Sequence, residues 1–302
     1  MRRSSRNMCA RAFVVICLVM AIGSAGAGEI QRMHVQAPPD LKVKPLAEVR
    51  AMLGDARPLY RCAAAQELAR RDDRAAIPDL QPLLKDKVPF VQLESASALL
   101  ELGDKSALTV VQGLFISDAP DVAGIKLRVV EVLAKAGDNR GLALAKSGIQ
   151  SKYSTDRVLA LRALNAFKDE DIAYAALQVA LGDTSQLVRG AAVNMLSERP
   201  AKRSVALLSS LLAGEDPSTR LMALTALTKT RHPDAMPAFL DALGDSDQGV
   251  RIAAATSLNL MSGLKRPVMA MRDPDRAKEI EKEWREWWEA NKDKPLPSEK
   301  KK

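Results

Sequence analysis

The side chains best suited to binding chemistry in this sequence are five arginines: Arg61, Arg157, Arg189, Arg220 and Arg251. A guanidinium offers its N–H donors in a flat fork, so a row of them fits phosphates or carboxylates. The row has a period. Counting from Arg61, the frame runs through Gln92, Lys126, Arg157, Arg189, Arg220 and Arg251, at steps of 31, 34, 31, 32, 31 and 31. Gln92 and Lys126 interrupt the row and weaken a ligand-binding reading. Asp55, Asp86, Asp183 and Asp245 each stand six residues before an anchor, and Asp216 stands four before Arg220. Such an aspartate can cap a helix while the anchor reaches the turn of a neighbouring repeat. The same residues therefore describe a ladder that joins repeats.

Other reactive side chains are scarce. The chain has two histidines, His34 and His232, and both fall in segments with loop character. Cys62 is the only cysteine after the first 27 residues, which excludes an internal disulfide framework. There is no HExxH, no GxSxG and no phosphate-binding loop. "RRDDR" at 70–74 and "DSD" at 245–247 read as solvated turns, because calcium needs more oxygens at regular spacing. The expectation is a non-catalytic protein with no cofactor and no metal.

The elements that carry these residues follow from the repeat. In all seven copies the seventh residue after the anchor is leucine: Leu68, Leu99, Leu133, Leu164, Leu196, Leu227 and Leu258. Small and apolar residues recur between anchor and leucine at helical spacing, as in "VRGAAVNML" and "VRIAAATSL". A polar turn follows, such as "LGDKS" or "AGDNR". Gly103 and Gly137 suit helix C-termini there, and Asp104 and Asp138 suit the next N-cap. A second apolar helix completes each unit. A period of 20–50 residues built from helix pairs predicts an all-α solenoid of about seven repeats. "LAEVRAML" at 46–53 reads as a short leading helix, and residues 28–45 as an extended linker.

The recurring VR-x-x-A-x-x-x-L and the aspartate lead-in resemble HEAT repeats, most closely the short subclass first associated with phycobilisome lyases. The resemblance covers about residues 55–264, and the array with its leading helix spans 46–264. It implies paired helices whose second members line a concave face, and it is nearly silent on activity. HEAT-like iron-dependent hydroxylases use His-Glu pairs, which this sequence lacks. Bilin lyases share the repeat class, and a chromophore- or cofactor-processing role is the alternative that the resemblance brings.

Both ends differ from the array. Four arginines, an apolar run from Ala12 to Ile22 and small residues from Gly23 to Gly28 read as an export signal over 1–27. The expected location is outside the cytoplasm, in the periplasm or extracellular space. No stable membrane span is expected after cleavage. The net charge of +8 gathers at the ends: residues 28–264 hold 29 basic and 28 acidic side chains. A near-neutral body argues against nucleic acid, which needs a basic stripe. The basic tail "SEKKK" leaves binding to an envelope surface as a further alternative.

All three tryptophans lie in "EWREWWEANKD". Ile280, Trp284, Trp287 and Trp288 share one face of a helix within residues 265–302. The expectation is a cap. This helix would dock as the second helix of repeat seven, and three buried tryptophans would close the array's open flank. "SALTVVQGLFI", "IAYAALQVAL" and "SVALLSSLL" carry no ionisable side chain, while first helices are richer in charge. Neutral second helices suit a protein or peptide partner on the concave face; deeper burial of those helices is the other explanation.

Overall fold

In the computed structural model residues 40–199, 201–294 and 296 are described. The export signal, His34 and the "SEKKK" tail lie outside the described residues. The described residues form helices, turns and no strand. Helix α1 (Leu46–Ala51) leads into α2 (Pro58–Arg70) and α3 (Ile77–Leu80), which continues as a 3-10 turn, Gln81–Lys85. The next pair is α4 (Pro89–Glu101) and α5 (Leu108–Ile116), followed by the short α6 (Pro120–Ala123). Then come α7 (Lys126–Lys135) with α8 (Leu142–Gly148), and α9 (Ser154–Ala166) with α10 (Glu170–Leu181). The remaining pairs are α11 (Gln186–Ser197) with α12 (Lys202–Ser210), and α13 (Pro217–Thr230) with α14 (Met236–Ala242). Last are α15 (Gln248–Ser262), a 3-10 turn at Val268–Arg272, and α16 (Pro274–Glu289). The fold is an α-solenoid of helix pairs. Close contacts divide it into two compact units, one ending at Ala176 and the other starting at Leu177, inside α10.

The repeat leucine is buried in every copy. Four residues after it the chain must leave the first helix sharply. Asp72, Gly103, Gly137 and Arg231 hold that position with φ of 52°, 100°, 87° and 54°. This left-handed residue lets the next N–H reach back to the leucine carbonyl: Asp73 to Leu68 at 3.0 Å, Asp104 to Leu99 at 2.8 Å, Asp138 to Leu133 at 2.8 Å. Glycine adopts that conformation without strain, and aspartate tolerates it better than most residues.

The lead-in aspartates work differently from an N-cap. Asp55, Asp86, Asp183 and Asp245 accept the backbone N–H two residues on, at 2.8–2.9 Å, and so shape the turn before the first helix. Asp216 and Asp247 are true N-caps, of α13 and α15.

Two segment boundaries depart from the sequence expectation. Leu41–Val43 is a 3-10 turn with Leu41 buried, and Arg71 donates to the Leu41 and Lys44 carbonyls. Residues 41–44 are thus tied to repeat one and are not extended linker. At the other end α16 is not the second helix of repeat seven. Asn259 pairs with the backbone of Arg266, and Arg251 donates to the Met271 carbonyl. The 264–272 segment therefore returns along α15 in the direction a second helix would take. Helix α16 then reaches Arg266 through Glu283 and Asp241, at the end of α14, through Arg285. Pro267 and Pro274 explain the break: the first precedes the 3-10 turn, and the second can only open a helix, with Asp273 as its N-cap.

Candidate functional site

The five arginines make one contact in common. The Nη1 group of each donates to the carbonyls six and five residues before it. For Arg61 these are Asp55 and Ala56 (2.8 and 3.2 Å), for Arg157 Ser151 and Lys152 (2.9 and 3.3 Å). For Arg189 they are Asp183 and Thr184 (2.8 and 3.0 Å), for Arg220 Gly214 and Glu215 (2.9 and 2.7 Å), and for Arg251 Asp245 and Ser246 (2.8 and 3.0 Å). Gln92 does the same to Asp86 at 2.5 Å, and Lys126 clasps the Ser117 and Phe115 carbonyls. This explains why glutamine and lysine can stand in the row: the task is to donate to a turn, which all three side chains can do.

Two guanidiniums also join adjacent repeats. Arg61 forms a two-point pair with Asp86 (2.8 and 2.9 Å), and Arg220 one with Asp245 (2.8 and 2.8 Å). Burial pushes the Asp245 carboxyl up, but Arg220 and the Asp247 N–H outweigh it and hold it below the usual range. With Nε, Nη1 and Nη2 all committed, Arg61 and Arg220 keep little capacity for a ligand.

A second polar system runs through the unit ending at Ala176. Gln66 donates to Glu94 at 2.7 Å, and Arg128 meets Glu94 with two bonds, at 2.8 and 3.0 Å. Arg128 also meets Glu131 at 3.1 Å, and Arg162 and Lys135 reach the same Glu131 oxygen at 3.1 and 3.3 Å. Glu94, Arg128 and Glu131 are all buried. Burial raises the Glu131 carboxyl, and Arg128, Arg162 and Lys135 more than reverse this, holding it far below the ordinary glutamate range. Helices α2 and α4 pack closely, as do α7 and α9; α4 and α7 stand further apart, and α6 packs on α4. This is where the repeat step lengthens to 34 residues. Glu94 and Arg128, two long side chains, bridge that wider step.

The sequence contained a signal for this ladder. Glu94 and Arg128 each lie two residues after an anchor, and Gln66, Glu131 and Arg162 each lie five after. In the unit starting at Leu177 the same positions hold Ala191, Met222 and Ala253, then Asn194, Thr225 and Thr256. There the first helices are tied by bonds such as Thr228 to Ser257 at 2.6 Å and Lys229 to Ser197 at 3.0 Å.

Burial reverses one expectation. Every residue from Leu93 to Leu99 and from Arg128 to Ala134 is buried, so α4 and α7 are enclosed on all sides. Two second helices are more open: α5 buries only Val111 and Leu114, and α8, which carries an exposed Lys146, only Ala145. On α5 the lack of charge is not a consequence of deeper burial. Thr109, Gly113 and Ile116 on α5 and Ala143, Leu144 and Ser147 on α8 are exposed, Ile116 by 72%. In the other unit Val179 (60% exposed), Ala206, Ser210 and Pro237 hold comparable positions.

HEAT repeats match residues 46–134 and 205–278, more than half of the chain. The chain belongs to the HEAT-repeat family. Residues 135–204 lie outside the matched spans, yet Arg157 and Arg189 within them make the same carbonyl clasp. The HEAT array is similar in fold to human deoxyhypusine hydroxylase, at 21% identity over 72% of this chain and 85% of that one (TM-score 0.35). It is similar to the CpcE–CpcF complex of phycocyanin lyase from Nostoc sp. PCC7120, at 20% identity over 80% and 97% (TM-score 0.41). An engineered protein matches at 19% identity over 76% and 72% (TM-score 0.38). No curated protein matches the chain.

At the end of the HEAT array, Ala277, Ile280 and Trp284 of α16 are buried, Trp284 completely. Trp287 and Trp288 are partly exposed, so one of the three tryptophans is fully enclosed. Arg285 donates to the Leu240 carbonyl and pairs with Asp241 at the end of α14. Helix α14 has seven residues and α16 sixteen, about 10 and 24 Å, so α16 has more face than α14 can cover. Trp287 stands edge-on to Trp284 with ring centres 5.6 Å apart, and Arg266 lies 4.6 Å over the Trp284 ring. His232 opens a 3-10 turn by accepting the Asp234 N–H at 3.2 Å, and Cys62 is buried in α2. Among the described residues no group of three or more His, Cys, Asp or Glu is placed to hold a metal, and no helix is long and apolar enough to cross a membrane.

Proposed function

We propose that this chain is an exported, non-catalytic scaffold that holds a protein or peptide along the exposed faces of its second helices. HEAT repeats support an interaction role. One observation carries the finer reading: Glu94, Arg128 and Glu131 are paired inside the array, and the surface left open on α5 is uncharged and partly apolar. Surfaces depleted of charge at their centre are typical of protein–protein contacts. The basic–apolar–small order of residues 1–28 supports export, and the resemblance to HEAT arrays makes the second-helix side the concave one.

Photo-crosslinking tests the surface. A crosslinker at Gly113 or Ile116 should capture a defined partner in the cell envelope, and one at Thr225, on a first helix, should not. Ile116→Asp should abolish capture without changing the melting temperature. Equal capture from both positions would remove the second-helix reading. N-terminal sequencing of the mature protein tests export and should start near Gly28; an intact Met1 in the cytosol would overturn it.

A further inference from the structure

The C-terminal helix is held differently from the rest of the array. Its buried stripe is three side chains, Ala277, Ile280 and Trp284. The Trp284 indole Nε1 is buried with no acceptor among the described residues. A donor left unsatisfied on docking works against the docked state, because water would satisfy it in the open one. The remaining ties are ion pairs open to water. Arg285 bridges Asp241 (3.1 Å) and Glu281 (2.9 Å), and Arg266 meets Glu283 (2.8 Å), each pair with at least one half-exposed partner. The segment before α16 has no regular helix between Gly263 and Pro267, and Gly263 itself is left-handed at φ 76°. By contrast α13 is clasped at its start by Arg220 and packs on both α11 and α15.

We propose that α16 is a detachable strap: it undocks as a unit from α14 and the Val268–Arg272 turn while the helix pairs stay folded, with Arg285–Asp241 and Arg266–Glu283 as its ionic latch. Local opening of this kind draws on elements with few buried contacts and solvent-exposed ties. Release exposes Trp284 and uncovers Met271 and the outer side of α14. Because the latch pairs are exposed, salt screens them, and the strap opens more at high ionic strength.

Hydrogen exchange on the full-length protein tests this without a destabilising variant. Amides of Ala277–Trp288 are expected to exchange at least about ten-fold faster than those of Ala223–Leu227 in α13, relative to their intrinsic rates. Raising NaCl from 50 mM to 1 M is expected to speed α16 exchange about two- to five-fold and to leave α13 unchanged. Arg285→Ala combined with Glu283→Gln, which removes both latch pairs, is expected to remove most of that salt response. Equal protection of α16 and α13, a salt response shared by both helices, or a response that survives in the double variant would each overturn the proposal.

Discussion

The first-helix stacks of the two units solve the same packing problem with opposite chemistry. Helices α4, α7 and α9 meet through Glu94, Arg128, Glu131 and Arg162, two carboxylates and two guanidiniums mostly shut from water. Helices α11, α13 and α15 meet through alanine, threonine and serine, with Lys229 reaching Ser197 at the end of α11. The anchors and leucines are alike on both sides, so they define the repeat, and the contents of the helix–helix seam are free to vary around them. What the charged seam adds is dependence of each member on the others. A buried ion pair is often no more stabilising than well-packed apolar residues, but losing one partner strands the other without compensation.

The sharpest way to break the comparison is therefore a single truncation in each seam. Arg128→Ala leaves Glu94 and Glu131 buried with fewer counter-charges and should cost about 3–5 kcal/mol in urea unfolding. Thr228→Ala, which removes the bond to Ser257 in the other seam, should cost only about 1 kcal/mol. Similar costs for both would mean that the ladder adds nothing the neutral seam lacks.

At the far end of the neutral unit, burial should replace charge as the source of large effects. Trp284→Ala should cost about 3–5 kcal/mol, as for other buried aromatics, and Trp288→Ala less, about 1–2 kcal/mol, because its ring is partly exposed. Tryptophan emission with acrylamide quenching is the companion measurement. It should resolve one protected ring and two partly accessible ones.

Acid should separate the units next. Glu131 is held below its ordinary value of 4.5, so the unfolded chain binds its proton more readily than the folded one. Its contribution is complete above pH 4.5 and is lost progressively as pH falls below it. Asp55, held down to about 2 by its bonds with Arg57, acts in the same direction, and so do Glu67 and Asp138. The unit starting at Leu177 has Asp216 and Asp245 in this state. Urea unfolding at pH 3 should thus weaken the charged unit more than the neutral one. Glu131→Gln should be less stable than the parent at pH 6 and closer to it at pH 3.

The smallest effects test the glycines. A Cβ at Gly113 in α5 or Gly190 in α11 meets nothing within 4 Å, so alanine at either should stabilise by about 0.5–1 kcal/mol. Gly103, at φ 100°, should lose a similar amount when changed to alanine. If Gly113→Ala stabilises the fold yet weakens partner capture, the open second-helix face has a use that the neutral first-helix seam does not.

Much of this molecule was already determined by local pattern. The spacing of Arg220 from Gly214, or of Leu99 from Gly103, lies within two helical turns, so the clasp and the left-handed helix exit can be read from one copy and checked in the next. Burial could not be read that way. Whether "LESASAL" or "LTVVQGLF" faces water depends on helices from other repeats, and each stretch alone is compatible with either. Glu94 and Arg128 were visible as charges, but their pairing across 34 residues depends on how far α4 and α7 stand apart. The seat of α16 was decided in the same way. Its apolar face was plain from Ile280 and Trp284, but an amphipathic helix does not say which neighbour covers that face. Only the return of residues 264–272 along α15, fixed by Asn259 and Arg251, set where α16 begins.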